Sequence, residues 1–300
     1  MRVLVTGAGG QVGAAVARLL ANRAEVIAHE RATLDLANPG QVEQRVREAA
    51  PHVIVNAAAY TAVDRAESDA QAAHAVNALG AESLARAARE ANAVLIHFST
   101  DYVFDGTKRS PYVETDATHP LGVYGRTKLD GEKAVAASGC AYVTLRTAWV
   151  YGPTGRNFML TMLRLAREGK PIRVVDDQRG APTTNLQLGR AVLALLTAGD
   201  AVVNEAALQR LRDCAGLYHA TAAGETTWHG FATEIFAERA RHSGGAAPPV
   251  APIATRDYPT PATRPSYSVL SSAKLERDLG VRLGDWRAGL REALSALGRG

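Results

Sequence analysis

Tyr124 and Lys128 are the residues whose types and spacing point most directly to chemistry, because four residues apart they share one face of a helix. A lysine ammonium beside a phenol favours the phenolate, so the spacing predicts a lowered pKa for Tyr124. Such a tyrosine can donate or accept a proton near neutral pH. Only five of the 34 basic residues are lysines. A lysine at this position is informative, because its compact ammonium can also bond a ribose and a planar guanidinium is no substitute for it. The alternative is an ordinary surface pair.

A hydroxyl group that polarises a substrate carbonyl is expected beside this tyrosine. Ser99 and Thr100 follow the apolar run VLIHF, and ligands bind at the carboxyl ends of strands in parallel sheets. Both residues are candidates, and we favour Thr100. The set of Thr100, Tyr124 and Lys128 therefore predicts proton transfer to a developing oxyanion.

The glycine-rich segment TGAGGQVG predicts a cradle for a pyrophosphate. Gly7, Gly10 and Gly13 are three residues apart, and the segment follows a predicted strand and opens a predicted helix. Glycine permits a tight turn and lets backbone N–H groups approach phosphates at the positive end of the helix dipole. The alternative is a merely flexible turn.

The next two strands end in residues that suit the rest of a dinucleotide. Glu30 can accept a hydrogen bond from a ribose 2′-hydroxyl, as in NADH, and Arg31 can face the 2′-phosphate of NADPH. Both are present, so either cofactor is compatible, and a solvated charge pair is the alternative. Further on, we expect Asp35 and Leu36 to touch the adenine. The small side chains in residues 56–60 let a cofactor lie across the third strand end.

These residues need a scaffold that brings strand ends together, and the first half of the chain has the periodicity for one. Short β-rich runs alternate with alanine-rich helical stretches, and several runs are almost wholly apolar, as in sheets covered on both faces. We predict strands at Arg2–Thr6, Glu25–Ala28, His52–Asn56, Val94–Phe98 and Tyr142–Arg146, and helices at Val12–Ala21, Gln41–Ala49, Ser68–Ala91 and Tyr124–Ser138. The pattern predicts an α/β fold with a Rossmann-like, doubly wound parallel sheet.

The second half has a different texture, because proline and glycine become frequent after about residue 150. We predict a dinucleotide-binding domain over residues 1–150. A smaller C-terminal substrate-binding lobe is predicted over residues 151–300, partly interleaved with late Rossmann elements. Its last helix, Asp285–Leu297, is predicted to serve as a dimer face or a lid.

Composition argues against several classes of protein. No run of 18 or more apolar residues predicts a membrane span, and no secretory signal is recognisable. Cys140 and Cys214 lack metal-ligand spacing and are expected to be reduced, packed thiols. The net charge of +4 comes from scattered basic residues, which is poor support for a nucleic-acid partner. We therefore expect a cytoplasmic protein with neither a nucleic-acid nor a membrane partner.

Longer stretches carry a resemblance to a known family. They are AYTAVDRAE (Ala59–Glu67), STDYVFDG (Ser99–Gly106), VYGRTKLDGE (Val123–Glu132), RTAWVYG (Arg146–Gly152), DQRGAPTT (Asp177–Thr184) and RPSYSVLSSAKL (Arg264–Leu275). With the glycine segment, they resemble the extended short-chain dehydrogenase/reductase superfamily and, within it, the dTDP-4-dehydrorhamnose reductase family. The resemblance extends over nearly the whole chain, and residues 200–255 match least distinctively.

The resemblance implies a reductase that uses NADPH or NADH on the C4 ketone of dTDP-4-dehydro-β-L-rhamnose, with a dTDP-sugar as its partner. It implies substrate contacts at Thr100, Asp101 and Trp149. Some relatives use Mg²⁺, although no ligand cluster in this sequence demands a metal. A homodimer is compatible with the sequence. The full set of predicted cofactor-binding residues is Gly7, Gly10, Gln11, Val12, Gly13, Glu30, Arg31, Asp35, Leu36, Ala57, Ala58, Ala59, Tyr60, Thr61, Tyr124 and Lys128.

Two further hypotheses concern the substrate. Trp149 stands just beyond a strand end, where its ring could stack on a sugar or base, and an ordinary core position is the alternative. The substrate diphosphate needs cations, and the alternative for each candidate is a surface or helix-end charge. The candidates are Arg146, Arg156, Arg179 and Arg264.

Rival functions on the same fold stay open at this point. They are a sugar-nucleotide 4-epimerase, a 4,6-dehydratase, a related ketoreductase and a non-catalytic NAD(P)-binding regulator. A dehydratase usually has an acidic pair after the Ser/Thr, whereas Thr100 is followed by Asp101 and then Tyr102. A regulator can lose the reactive residues, whereas Tyr124 and Lys128 are both present.

Overall fold

The structure, a computed structural model, describes residues 1–243 and 246–297. Its strands are β1 (Arg2–Thr6), β2 (Glu25–His29), β3 (Val53–Asn56), β4 (Val94–Thr100), β5 (Tyr142–Thr147), β6 (Val150–Tyr151), β7 (Ile172–Val175), β8 (Arg179–Gly180), β9 (Thr183–Thr184), β10 (Gly216–His219), β11 (Thr226–Thr227) and β12 (Val250–Ile253). Its helices are α1 (Gln11–Leu20), α2 (Pro39–Ala49), α3 (Val63–Ala66), α4 (Ala70–His74), α5 (Gly80–Glu90), α6 (Val123–Ala137), α7 (Phe158–Arg167), α8 (Asn185–Thr197), α9 (Glu205–Asp213), α10 (Trp228–Ser243), α11 (Ala273–Leu279) and α12 (Trp286–Leu297). A π-helical segment (Ala75–Leu79) joins α4 to α5, and short 3₁₀ turns occupy Asp101–Val103 and Thr255–Asp257.

The main sheet is parallel throughout and has the strand order β2-β1-β3-β4-β5-β10. The chain runs from β1 to β2 on one side and then crosses to β3 on the other, so the strand order reverses at β1. In such sheets, ligands bind at the carboxyl ends of the strands beside this switch point. The predicted Rossmann-like, doubly wound fold is confirmed.

Helices cover both faces of the sheet, which explains why its strands are almost wholly apolar. One face packs on α1, α8, α9 and α11, with β-strand side chains such as Val5 and Val55 against Val16 and Leu188. The other face packs on α2, α5 and α6. The two layers bury the central strands β1, β3, β4 and β5 almost throughout, and these strands end at the site.

The rest of the second half forms a separate core. Aromatic and aliphatic side chains from α7, α10 and α12 surround Phe231 and Trp286, which are fully buried. However, α8 packs on α1, and β10 pairs with β5 at the edge of the main sheet. We propose a division near residue 150 in which α8 and β10 belong to the dinucleotide-binding domain. Residues 244–245 and 298–300 of the lobe lie outside the described residues.

Element positions agree closely with the sequence prediction in the first half. The predicted helix Ser68–Ala91 is split by the π-helical segment, and β4 continues beyond Phe98 to include Ser99 and Thr100. The predicted C-terminal helix is α12 (Trp286–Leu297), whose buried side chains pack inside the second core. Within residues 1–243 and 246–297, no helix has the length and apolar character to span a membrane.

Candidate active site

A cleft of about 700 Å³ opens at the carboxyl ends of β1, β3, β4 and β5. It therefore lies at the switch point of the sheet. Among the predicted catalytic and cofactor-binding residues, Gly13 is the one that does not line the cleft. The predicted residues that the cleft brings together are Gly7, Gly10, Gln11, Val12, Glu30, Arg31, Asp35, Leu36, Ala57, Ala58, Ala59, Tyr60, Thr61, Thr100, Asp101, Tyr124, Lys128 and Trp149.

The glycine segment forms a tight turn between β1 and α1. Gly7 has φ = +69°, and a Cβ there would lie 2.7 Å from the backbone of Ala58. The backbone N–H of Gly10 donates to the carbonyl of Gly7 at 2.9 Å. A Cβ on Gly13 would lie 2.2 Å from the same carbonyl oxygen, so Gly13 allows the close approach of α1 to the turn. The turn and the start of α1 present backbone N–H groups to the cleft, which suits a pyrophosphate.

The adenosine side of the cleft is bordered by both charged residues. Glu30 lies against Gly9, and the side chain of Arg31 is 82% exposed, 3.9 Å from the carboxylate of Asp35. The amide oxygen of Gln41 accepts a hydrogen bond from the backbone of Asp35 at 2.6 Å. The segment is therefore fixed by its backbone, and the guanidinium of Arg31 stays accessible to a ligand.

Polar contacts also hold residues 57–61, the segment after β3 that lines the cleft. Asn77, in the π-helical segment, accepts from the backbone N–H of Tyr60 at 2.8 Å and donates to its carbonyl at 3.2 Å. It also donates to the hydroxyl of Thr127 on α6 at 3.1 Å. The side chain of Asn77 therefore links the segment after β3 to α6, the helix that carries Tyr124 and Lys128. The sequence pattern gave no indication of this link.

Thr100, Tyr124 and Lys128 meet at the floor of the cleft. Tyr124 is partly exposed to the cleft, whereas Thr100 and Lys128 are buried. The hydroxyl of Thr100 hydrogen-bonds with Tyr124. The ammonium of Lys128 donates to the carbonyl of Phe98 at 2.6 Å. The arrangement has a proton donor, a second hydroxyl and a cation within one group.

The direction of the pKa change at Tyr124 differs from the sequence prediction. Burial raises its pKa to about 12, and the hydrogen bond with Thr100 lowers it only in part. Burial lowers the pKa of Lys128 to about 8, although the carboxylate of Glu132 raises it. The prediction of a lowered pKa at Tyr124 was wrong, because desolvation of the phenolate, together with the charge of Asp101, outweighs the hydrogen bond with Thr100. Tyr124 is thus held in its protonated form, as a proton donor requires.

Asp101 follows Thr100 in the chain and is buried beside it, and the next residue, Tyr102, is not acidic. The Thr100 hydroxyl donates to its carboxylate at 3.1 Å. Burial raises the pKa of Asp101 to about 7, while hydrogen bonds from Ser268 and Thr100 lower it. Asp101 therefore lines the cleft with a carboxyl group that can accept or donate a hydrogen bond.

Trp149 has a left-handed backbone (φ = +47°), which is rare for a bulky residue and is often found at functional sites. Its indole is stacked on that of Trp228, with ring centroids 3.5 Å apart and planes within 7°. Trp228 in turn contacts Phe158 and also lines the cleft. One face of Trp149 is therefore covered by protein. Sequence reasoning missed Trp228, which lies in the segment with the least distinctive resemblance.

The four arginines proposed for a substrate diphosphate lie in different surroundings. Arg146 is 3% exposed and forms a bidentate ion pair with Glu132, so its prediction as a phosphate ligand was wrong. Arg264 forms a bidentate pair with Asp64. Arg179 pairs with Glu225 in a neighbouring groove. Arg156 lines the cleft and is exposed.

No metal site supports the Mg²⁺ that the resemblance allowed. Among the described residues, no group of three or more His, Cys, Asp or Glu side chains is placed to hold a metal ion. The nicotinamide cofactor is different, because the glycine turn and the small residues after β3 leave the room that a dinucleotide needs.

The fold and the site define the chain as a Rossmann-like α/β protein whose dinucleotide-binding cleft carries a Thr–Tyr–Lys set. Residues 1–299 match the family model described as the RmlD substrate binding domain. The chain belongs to this family, and the resemblance found in the sequence is confirmed.

Named relatives of similar length agree. The chain is 48% identical over 292 residues to dTDP-4-dehydrorhamnose reductase from Burkholderia thailandensis, with 96% of each chain covered. The crystal structure of a dTDP-4-dehydrorhamnose reductase from Clostridium acetobutylicum superimposes with a TM-score of 0.89 at 37% identity, covering 99% of this chain and 100% of that one. The enzyme of that name from Bacillus anthracis, solved in complex with NADP, has a TM-score of 0.89 at 33% identity, with 98% and 99% covered.

Proposed function

We propose that the chain reduces dTDP-4-dehydro-β-L-rhamnose to dTDP-L-rhamnose with NADPH or NADH. The observation that carries this proposal is the meeting of Thr100, Tyr124 and Lys128 beside a glycine turn in one cleft. The names of the relatives supply the substrate. The nicotinamide, when bound, supplies the hydride for the C4 carbonyl carbon.

Each residue has a defined part in this proposal. Tyr124 donates its proton to the carbonyl oxygen as negative charge develops there, and its raised pKa keeps it protonated beforehand. Thr100 turns its hydroxyl hydrogen from Asp101 to the same oxygen and so donates a second hydrogen bond. Lys128 supplies a positive charge below the phenol and can bond the nicotinamide ribose. Asp101 and Trp149 border the sugar.

A 4-epimerase is the main rival, because epimerases share this fold at low sequence identity. An epimerase would keep its cofactor and consume no NADPH overall. A 4,6-dehydratase is disfavoured, because one acid follows Thr100 and the next residue, Tyr102, forms an edge-on contact with Tyr124.

Coenzyme oxidation measured at 340 nm with dTDP-4-dehydro-β-L-rhamnose tests the proposal. Stoichiometric loss of NADPH or NADH, with dTDP-L-rhamnose as the product, is the expected result. Interconversion of dTDP-sugars without loss of absorbance would establish an epimerase. Cofactor binding without any turnover over a panel of dTDP-4-keto sugars would establish a non-catalytic protein.

Arg31 is predicted to recognise the 2′-phosphate of NADPH. Its exposed guanidinium lies at the adenosine end of the cleft, and a charge-assisted hydrogen bond contributes about 1.5–3 kcal/mol. In the Arg31→Ala variant we therefore expect the KM for NADPH to rise by about tenfold or more, while the KM for NADH changes by less than about twofold. Steady-state kinetics with each coenzyme provide the measurement.

The matched control is Arg47→Ala, which removes an exposed arginine of α2 outside the cleft. It should leave both KM values unchanged. An equal rise for NADH and NADPH in Arg31→Ala would show that Arg31 shapes the adenosine pocket without reading the phosphate.

A further inference from the structure

A buried ion pair lies beneath the reactive residues and has no part in the proton transfer described above. Arg146 on β5 donates from Nε and Nη2 to the two carboxylate oxygens of Glu132 on α6, at 2.9 and 2.6 Å. The hydroxyl of Ser99 on β4 donates to Oε1 of the same carboxylate at 2.5 Å. All three side chains are less than 8% exposed. One carboxylate thus connects two strands and a helix.

The contacts of Glu132 lie next to the reactive residues on both β4 and α6. Ser99 and Arg146 are paired in register on β4 and β5. Three consecutive residues of β4 contact three different turns of α6: Phe98 accepts from Lys128, Ser99 donates to Glu132, and Thr100 hydrogen-bonds with Tyr124. Tyr124, Lys128 and Glu132 are spaced by four residues and share one face of the helix.

A buried ion pair does little for stability compared with apolar residues of the same shape, because both charges lose their hydration. Stability alone therefore does not explain why an ion pair lies below the catalytic set, and an effect on the neighbouring catalytic residues is the better explanation. The carboxylate also acts electrostatically on Lys128, which has lost its own solvent. Without Glu132, the buried ammonium would keep its hydrogen bond to the carbonyl of Phe98 but would lose the negative charge of this carboxylate.

We propose that Glu132 is a positioning residue for the reductase reaction: its carboxylate fixes the end of β4 against α6 and supplies the counter-charge that keeps Lys128 an ammonium. This inference rests on the proposed function for its catalytic consequence, while its electrostatic part can be measured on the protein alone. Other charged and titratable side chains lie on the elements that pack around Lys128. They are Tyr124 on α6, His97 on β4, Asp101 after β4 and Arg146 on β5.

None of these neighbours can replace Glu132. Burial and Lys128 itself hold the pKa of His97 well below its ordinary value, so His97 is neutral. Arg146 is positive, and Tyr124 is protonated through the neutral range because its pKa is about 12. Asp101 has a pKa of about 7 and therefore carries only a partial charge near neutrality. Glu132 is the carboxylate that raises the pKa of Lys128.

The small number of lysines allows a direct test. Protein labelled with ¹³C at lysine Cε has five lysine residues, and a Lys128→Met variant assigns the signal of Lys128. In Glu132→Gln we expect the Lys128 titration midpoint to move to lower pH than in the wild type. The alkaline limb of kcat/KM should move in the same direction, because activity is lost as the ammonium deprotonates with rising pH.

Two further variants separate charge from architecture. Ser99→Ala breaks the hydrogen bond to Glu132 but keeps the carboxylate, so kcat should fall about tenfold or less while the Lys128 midpoint stays at the wild-type pH. The double variant Glu132→Leu with Arg146→Met leaves no unpaired buried charge and should fold even if Glu132→Gln does not. Because an opposing positive charge is removed as well, its Lys128 midpoint should change less than in Glu132→Gln, whereas its kcat should still fall because the link between β4 and α6 is lost.

A folded Glu132→Gln variant with a wild-type Lys128 midpoint would overturn the inference, and if that variant did not fold, a double variant with wild-type kcat would do so. That result differs from failure of the proposed function, in which the wild-type protein would not oxidise NADPH or NADH with the keto sugar.

Discussion

Replacing Tyr124 by phenylalanine is expected to lower kcat by about 10²–10⁴-fold, the usual contribution of a positioned general acid. The substitution removes one hydroxyl and leaves the ring, so the edge-on contact with Tyr102 at 5.8 Å is kept. The Kd for NADPH should change by less than about threefold, because the glycine turn and the adenosine pocket are untouched. Stopped-flow coenzyme oxidation and fluorescence titration of NADPH measure the two effects separately.

Tyr102 offers a matched control, because it lines the same cleft and burial raises its pKa as well. Its hydroxyl interacts with Arg264, whereas that of Tyr124 hydrogen-bonds with Thr100. Tyr102→Phe should therefore retain kcat to within about tenfold. The opposite result would be a kcat lowered by about 10²-fold or more in Tyr102→Phe and a normal kcat in Tyr124→Phe. In that case Tyr102 would be the acid.

The opposite pKa changes of Tyr124 and Lys128 have a common cause. Burial disfavours whichever form is charged, so it raises the pKa of the phenol to about 12 and lowers that of the ammonium to about 8. Carbonyl reduction requires a protonated phenol, and burial supplies it across the neutral range. We infer that the alkaline limit of the reaction is set by Lys128 rather than by Tyr124.

Local patterns in the sequence were sufficient to predict the frame of the site. The glycine turn, the buried strands and the four-residue spacing from Tyr124 to Lys128 depend on residues that are near one another in the chain. The parallel sheet then brings Thr100, at the end of β4, beside α6 without further information. For this reason the predicted positions of the strands and helices of the first half agree with the structure to within a few residues.

Partners that are distant in the chain could not be predicted in the same way. The ion pair of Arg146 with Glu132 forms only when β5 packs under α6, so the sequence alone could not exclude Arg146 as a phosphate ligand. The stacking of Trp228 on one face of Trp149 could not be predicted either, because Trp228 belongs to α10, far along the chain. The pKa of Tyr124 was predicted with the wrong sign, because its burial depends on packing that the motif does not describe.

Gly125, between Tyr124 and Lys128, gives the second large expected effect. A Cβ at this position would lie 2.2 Å from the carbonyl oxygen of Tyr102, which is backbone and cannot rotate away. Gly125→Ala must therefore push α6 away from the turn at Asp101–Val103 and separate Tyr124 from Thr100. We expect kcat to fall by about 10²-fold, as for a displacement of about 1 Å in an active site, and stability to fall by about 1–3 kcal/mol.

Gly40→Ala is the control for this change, since it makes the same substitution in a helix where the nearest atom to the new Cβ is 3.6 Å away. It should leave kcat unchanged and should not lower the melting temperature, because alanine favours helix over glycine. Urea unfolding of both variants, combined with kcat at saturating substrate, distinguishes a displaced helix from general destabilisation. If Gly125→Ala lost stability but kept its kcat, the close contact between α6 and Tyr102 would serve the fold alone, and the placement of Tyr124 would tolerate a shift of the helix.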